Sequence, residues 1–277
     1  DDWNNANFDQ HWQKAADIDE LQYQNFKKDY EFHKDNKYAS LNAPHRMFID
    51  LVKAGNIYEA IKALEGHLQK HPKDHEGWIM LGGLLQESDM DQQSVTALMK
   101  SLEVEPGCLY ALLQVGVGCT NILDEIHSLM YLHKWLQLNP AYAKFAGPEL
   151  ITLDRLNRDD YTSTEILAIN KLVLEKFEAA RQAGAGETDP EFCMAMGVVA
   201  FMAREYKLAV DLMNRTVELD PHSYSAWNKL GACLAQLNET EMARMSYKKA
   251  LDLKPNYVRP WVNLGLSNGS KVTTILP

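Results

Sequence analysis

The chain is poor in the features that mark most chemistries. Its 277 residues include four cysteines, Cys108, Cys119, Cys193 and Cys233, far apart and without a Cys-x-x-Cys pair. Three of them fall inside apolar helical patterns, and none has the paired spacing of a thiolate zinc site. These read instead as reduced core residues, which suits a reducing compartment. No apolar run reaches the roughly 18 residues of a membrane helix and no secretory leader is recognisable, so no direct membrane span is expected. The sequons at Asn214, Asn238 and Asn268 then carry no glycan, because a cytosolic chain does not meet the glycosylation machinery. Basic charge is scarce: Lys and Arg total 28 against 38 Asp and Glu, a net charge of −10. That disfavours nucleic acid and anionic membrane surfaces and is compatible with basic or neutral peptides. There is no phosphate-binding glycine loop, neither GxxxxGK[ST] nor GxGxxG, and no Ser/His/Asp or Cys/His arrangement with supporting context. The chain therefore reads as a non-enzyme without cofactor. His67, His71 and His75 are spaced by four, but Pro72 breaks the helix between them, and no metal site is expected.

What the chain does have is a period. Residues 224–265 carry Trp227, Leu230, Gly231, Leu234, Ala243, Tyr247, Ala250 and Pro255, and the order restarts 34 residues after Trp227 with Trp261, Leu264 and Gly265. Gly231 and Ala243 are small enough to let two antiparallel helices approach. Trp227, Leu234 and Tyr247 fill the space between them, and Pro255 ends the second helix. Period and residue order resemble the tetratricopeptide helix–turn–helix repeat. One such unit cannot bury its apolar face alone, so copies stack. The expected fold is all-α, a tetratricopeptide solenoid of helix–turn–helix repeats in two groups joined by a degenerate hinge repeat.

Prolines set the register. Residues 1–40, rich in Asp, Asn, Gln and aromatics, read as a linker or capping segment, extended near Asp29–Ala43. The alternative is a docking peptide exposing Trp3 or Trp12. Pro72, Pro106 and Pro140 are each 34 apart and close three repeats of a first group, 41–142. The first repeat has Ala60 but lacks the usual Trp and Gly. The second has Trp78, Leu81 and Gly82; the third has Leu112 and Gly116, with Trp135 in its second helix. From Pro140 to Pro221 the rhythm breaks. Residues 143–189 read as a degenerate hinge repeat, with a helical pattern at about 163–182 (Ile166, Ile169, Leu172, Val173, Phe177, Ala180). A second group, 190–266, follows, truncated in its last repeat, which begins at Val258. Residues 267–277 form an atypical tail that does not read as repeat helix.

First helices line the concave face of such a solenoid. Asn228, Ala232 and Gln236 lie at i, i+4 and i+8, on one face. Place thirteen of four repeats is Glu87, Asn121, Gln236 and Ser270, too regularly polar for a core face. An asparagine side chain donates and accepts at once, which suits a peptide backbone or terminus. Lys229 and Arg259, close to Asn228 and Asn263, add charge for a carboxylate. A solvated helix face accounts for the same residues equally well.

The segments WNKLGACLAQLNETE, KPNYVRPWVNLG, VGCTN followed by WLQLNPAY, DPEFCMAMGVVAF and the pre-repeat stretch Tyr30–Asn42 resemble one family. Over roughly residues 25–266 the chain is similar to the peroxisomal import receptor that recognises C-terminal Ser-Lys-Leu signals. The resemblance implies a receptor cycling between the cytoplasm and the peroxisome membrane. It would bind the C-terminal tripeptide of cargo proteins in a ring-like groove between two triplets of repeats, and engage docking proteins of the peroxisomal membrane. It implies that Asn121, Asn228 and Asn263 hold the signal's main chain and carboxylate, with Arg259 near the carboxylate and Lys229 following Asn228. Val117, Thr120 and Ala232 match positions near the terminal leucine pocket. Glu87 and Asp89 match acidic positions suited to the penultimate lysine. Two places depart: Gln236 and Ser270 stand where the family has Asn. The family's docking motif, Trp-xxx-Phe/Tyr, is one residue shorter than the spacing of Trp3 and Phe8. The second helix of the last repeat is also missing. The alternatives are an ion-channel accessory paralogue with the same groove, and a generic tetratricopeptide co-chaperone or scaffold.

Overall fold

The structure, a computed structural model, describes residues 29–41, 44–151, 156 and 161–272. Trp3, Phe8, Trp12, Asn42 and the end of the tail lie outside the described residues. Among the described residues there are thirteen α-helices and no strand. Contacts divide the chain into two compact units. The first holds the residues through Gln86, Met90–Leu138 and Glu149–Ser163; the second holds Glu87–Asp89, Asn139–Pro148 and the chain from Thr164 onward.

In the first unit the helices pair as α1 (Pro44–Lys53) with α2 (Ile57–Leu68), α3 (His75–Glu87) with α4 (Asp91–Val104), and α5 (Leu109–Asn121) with α6 (Glu125–Leu138). In the second, α7 (Ala143–Ala146) and the single 20-residue helix α8 (Ser163–Gln182) precede the pairs α9 (Pro190–Met202) with α10 (Tyr206–Leu219) and α11 (Tyr224–Gln236) with α12 (Thr240–Leu253). The last helix, α13 (Val258–Val272), follows. It runs on through Asn268, Gly269 and Ser270, past the point where the sequence suggested that repeat helix stops. The low helix propensity of one glycine, about 1 kcal/mol, is too small to end a helix by itself.

Four of the five pairs close on a missing side chain. A Cβ built on Gly82 would lie 2.6 Å from Leu98, on Gly116 2.7 Å from Leu132, on Gly197 2.7 Å from Met213 and on Gly231 2.5 Å from Tyr247. Each neighbour lies 16 residues further along the chain, so one contact recurs in four repeats. Ser94 and Ser128 hydroxyls donate to the Gly82 and Gly116 carbonyls, both at 2.7 Å. At the same place the other pairs have Ala60, Ala209 and Ala243, all fully buried.

The turn inside each pair is equally regular. Gly55, Asp89, Leu123, Arg204 and Asn238 all have φ between +61° and +73°. The next residue's N–H then bonds back to the carbonyl five residues earlier, as in Met90 to Leu85 and Asp124 to Cys119, both 2.9 Å. This is the left-handed helix terminus that satisfies otherwise orphaned carbonyls. Between pairs, the Trp78, Trp227 and Trp261 indoles donate to the carbonyls of Pro72, Pro221 and Pro255 at 2.9–3.0 Å.

Residues 29–41 pack on the first repeat. Tyr30 is buried, donates to Glu65 at 2.7 Å, and meets Trp78 edge-on with centroids 5.5 Å apart. Glu65, fully buried, also accepts from the His33 backbone at 3.1 Å. In the second unit Asp189 caps α9 by accepting from Glu191 and Phe192 N–H groups, and Tyr142 donates to it at 2.7 Å. Tyr142 and Phe177 both pack on Phe192, at centroid distances of 4.6 and 5.4 Å. The apolar face of α13 is open among the described residues: Trp261 is 58% exposed, and a Cβ on Gly265 would meet nothing within 4 Å.

Candidate peptide-binding site

In the first unit α5 carries Val117, Thr120 and Asn121. Val117 is 2% exposed and belongs to the helix packing. The Thr120 hydroxyl donates to the Val117 carbonyl at 2.7 Å, tightening the last turn. The Asn121 amide donates through Nδ2 to Asp91 Oδ1 at 3.0 Å.

In the second unit, the adjacent first helices α11 and α13 bring Asn228 and Asn263 together. Asn263 Nδ2 donates to Asn228 Oδ1 at 3.0 Å. Asn228 is 4% exposed, Ala232 half-buried and Gln236 exposed, so this stripe of α11 runs from interior to solvent. Lys229, half-buried beside it, acts on the interior: burial pushes the Cys233 thiol up to about 12, and the Lys229 charge opposes that rise.

Glu87 and Asp89, which count with the second unit, are already matched by cations of the chain. Glu87, 8% exposed, accepts from the Tyr224 hydroxyl at 2.6 Å and pairs with Lys254 at 3.0 Å. Asp89 pairs with Arg259 at 2.6 Å. The two acidic groups expected to face a ligand lysine, and the arginine expected to face a carboxylate, therefore hold in-chain partners. Ser270 lies in α13, but its side chain is outside what the structure describes.

Sequence reasoning missed Asp91, Tyr224 and Lys254. Asp91 and Tyr224 are the first residues of their helices, and Lys254 precedes the closing Pro255. Their repeat positions were a usable signal; their partners were not, because each partner is at least 30 residues away in sequence.

Residues 224–257 match the tetratricopeptide repeat model. With recurrent helix pairs of this register, they define a tetratricopeptide-repeat protein. Curated homologues over most of the chain include peroxisomal targeting signal receptors and PEX5-related proteins. The peroxisomal targeting signal receptor of Kluyveromyces lactis is 28% identical over 86% of this chain and 40% of its own length. The PEX5-related protein of Mus musculus is 30% identical over 77% of this chain and 38% of its own length. The chain thus spans less than half the length of these relatives. Among solved structures, one described as the MamA protein aligns at TM-score 0.40 with 14% identity, covering 80% of this chain and 95% of that one. Among the described residues no helix is long and apolar enough to cross a membrane.

Proposed function

We propose that this chain is the signal-reading part of a peroxisomal import receptor and that it binds cargo proteins ending in Ser-Lys-Leu or a close variant. The observation that carries the reading is the amide pair Asn228–Asn263 on adjacent first helices, flanked by Lys229 and Arg259. Paired amides offer both donors and acceptors to an extended main chain, and two cations suit one terminal carboxylate. Homology to receptors named for targeting signals supports the same conclusion. The peptide's carboxylate competes with Asp89 for Arg259, and its lysine competes with Lys254 for Glu87, so binding exchanges ion pairs instead of filling an unpaired site. In the cell such a receptor would cycle between the cytoplasm and docking proteins at the peroxisome membrane.

The test is fluorescence anisotropy of a labelled peptide ending in Ser-Lys-Leu, as the free acid and as the C-terminal amide. Binding of the acid alone is expected, and Asn228→Ala should weaken it at least tenfold. Equal affinity for acid and amide, or for a peptide ending in Asp, refutes the reading.

A further inference from the structure

The second unit holds a cavity of about 270 Å³ bounded by the end of α8, the turn after it, the start of α9 and one stripe of α10. The α10 stripe is Leu208, Asp211, Leu212 and Arg215, at i, i+3, i+4 and i+7, so a single helix face supplies apolar surface and charge together. Phe192 and Cys193 of α9 complete the apolar lining. Burial pushes the Cys193 thiol up to about 11, so at neutral pH it is uncharged and behaves as a small apolar group. The turn sits directly on this lining, since a Cβ on Gly186 would overlap the Phe192 ring. No lining residue belongs to the candidate peptide site on α11 and α13.

The two guanidiniums of the lining are unequally matched. Arg215 is engaged: its Nε donates to the Glu187 carbonyl and its Nη1 to the Glu218 carboxylate, both at 3.0 Å. Arg181 is left short of acceptors. Its Nη2 stands 3.7 Å from Glu178, beyond hydrogen-bond reach, and its Nε is shielded from solvent with no acceptor among the described residues. A shielded N–H without an acceptor is costly, and a ligand oxygen removes that cost. The charge balance favours one carboxylate over a phosphate. A divalent anion would stand beside the exposed acids Glu187 and Asp211 with Arg181 as its main counter-charge. The volume, just below the roughly 300–1,000 Å³ of typical ligand pockets, suits a short body.

We propose that this cavity is a second binding site, independent of peptide recognition, for a small monocarboxylic acid: Arg181 holds the carboxylate, and the apolar body lies on Phe192, Leu208 and Leu212.

The experiment is a nuclear magnetic resonance titration of the full, isotope-labelled chain with hexanoate. The Arg181 Nε–H and Gly186 amide signals are expected to shift with a Kd of about 1 mM, the scale of a ligand this small. Affinity should rise about fourfold per methylene from butanoate to hexanoate, the gain from burying one CH₂. Hexanamide on the parent, and hexanoate on Arg181→Gln, should each bind about tenfold more weakly or worse. Arg181→Lys, charged but without the planar fork, should recover part of that loss. An Arg181→Gln spectrum otherwise superposed on the parent's shows that the fold is kept, so that its loss is one of binding. Saturating Ser-Lys-Leu peptide should not displace hexanoate; displacement would place the acid in the peptide site and overturn the proposal. Equal affinity for hexanoate and hexanamide, parent-like binding by Arg181→Gln, or no shift of these signals at about 20 mM hexanoate, far above the Kd expected for its size, would each overturn it as well. Inorganic phosphate that bound the same signals more tightly than hexanoate would refute the choice of a monocarboxylate.

Discussion

Gly231→Ala adds one methyl to a mid-helix position, which in an open helix stabilises by about 1 kcal/mol. Here the opposite is expected. The new Cβ would stand 2.5, 2.6 and 2.9 Å from three carbons of the Tyr247 ring, where 3.4–4 Å is ordinary contact. The ring must retreat by about 1 Å, yet Tyr247 is 3% exposed and enclosed by the α11–α12 pair. Overpacking of this kind costs about 1–3 kcal/mol. With three ring carbons closer than 3.0 Å the cost belongs in the upper part of that range, about 2–3 kcal/mol, and against the propensity gain the net loss is about 1–2 kcal/mol. Gly83→Ala is the control: its Cβ meets nothing within 4 Å, so it should gain up to about 1 kcal/mol. Urea unfolding followed by circular dichroism gives the sign of each. Hydrogen exchange should place the Gly231→Ala loss in α11 and α12, since repeat stability is nearly a sum of local and neighbour contributions. Trimming the ring with Tyr247→Leu should recover part of the loss in the double variant. A Gly231→Ala protein as stable as the parent would refute the close-approach reasoning for all four repeats.

Three further outcomes follow from the same geometry. Leu123→Gly should stabilise by about 0.5–1 kcal/mol, because Leu123 is 89% exposed and held at φ +61°, where a side chain is penalised; an unchanged or lower melting temperature contradicts this. Tyr30→Phe should cost about 1–3 kcal/mol, because it removes a hydrogen bond to the fully buried Glu65; a loss below a few tenths of a kcal/mol would show that residues 29–41 do not depend on that bond. Iodoacetamide at pH 8 should label the half-buried Cys108 first, because Cys119 and Cys233 are buried and burial pushes Cys193 up to about 11 and Cys233 up to about 12. Mass spectrometry showing Cys233 labelled as fast as Cys108 in the native protein would count against this packing.

The helix pairs were legible because their determinants are local and periodic: Gly231, Ala243 and Pro255 state the pair within one repeat, and Ile166 to Ala180 states α8 at helical spacing. The turns were not. Asp89, Leu123 and Arg204 adopt left-handed backbone without being glycine, because the helix-end hydrogen bonds on either side overrule residue preference. Burial along a helix was only half visible: Val117 and Thr120 are three residues apart on α5, yet one is interior and the other is not. Long-range partners were invisible. Nothing near Arg259 announces Asp89, 170 residues away.

The indole-to-carbonyl bonds turn the chain into its own spectroscopic ruler. Trp78, Trp227 and Trp261 each bond the proline carbonyl six residues back, at three successive levels of shielding: 3% exposed, half-buried and 58% exposed. Their emission should be ordered the same way, bluest for Trp78 and reddest for Trp261. Keeping one tryptophan at a time would let fluorescence record the melting of one inter-repeat junction without any introduced dye.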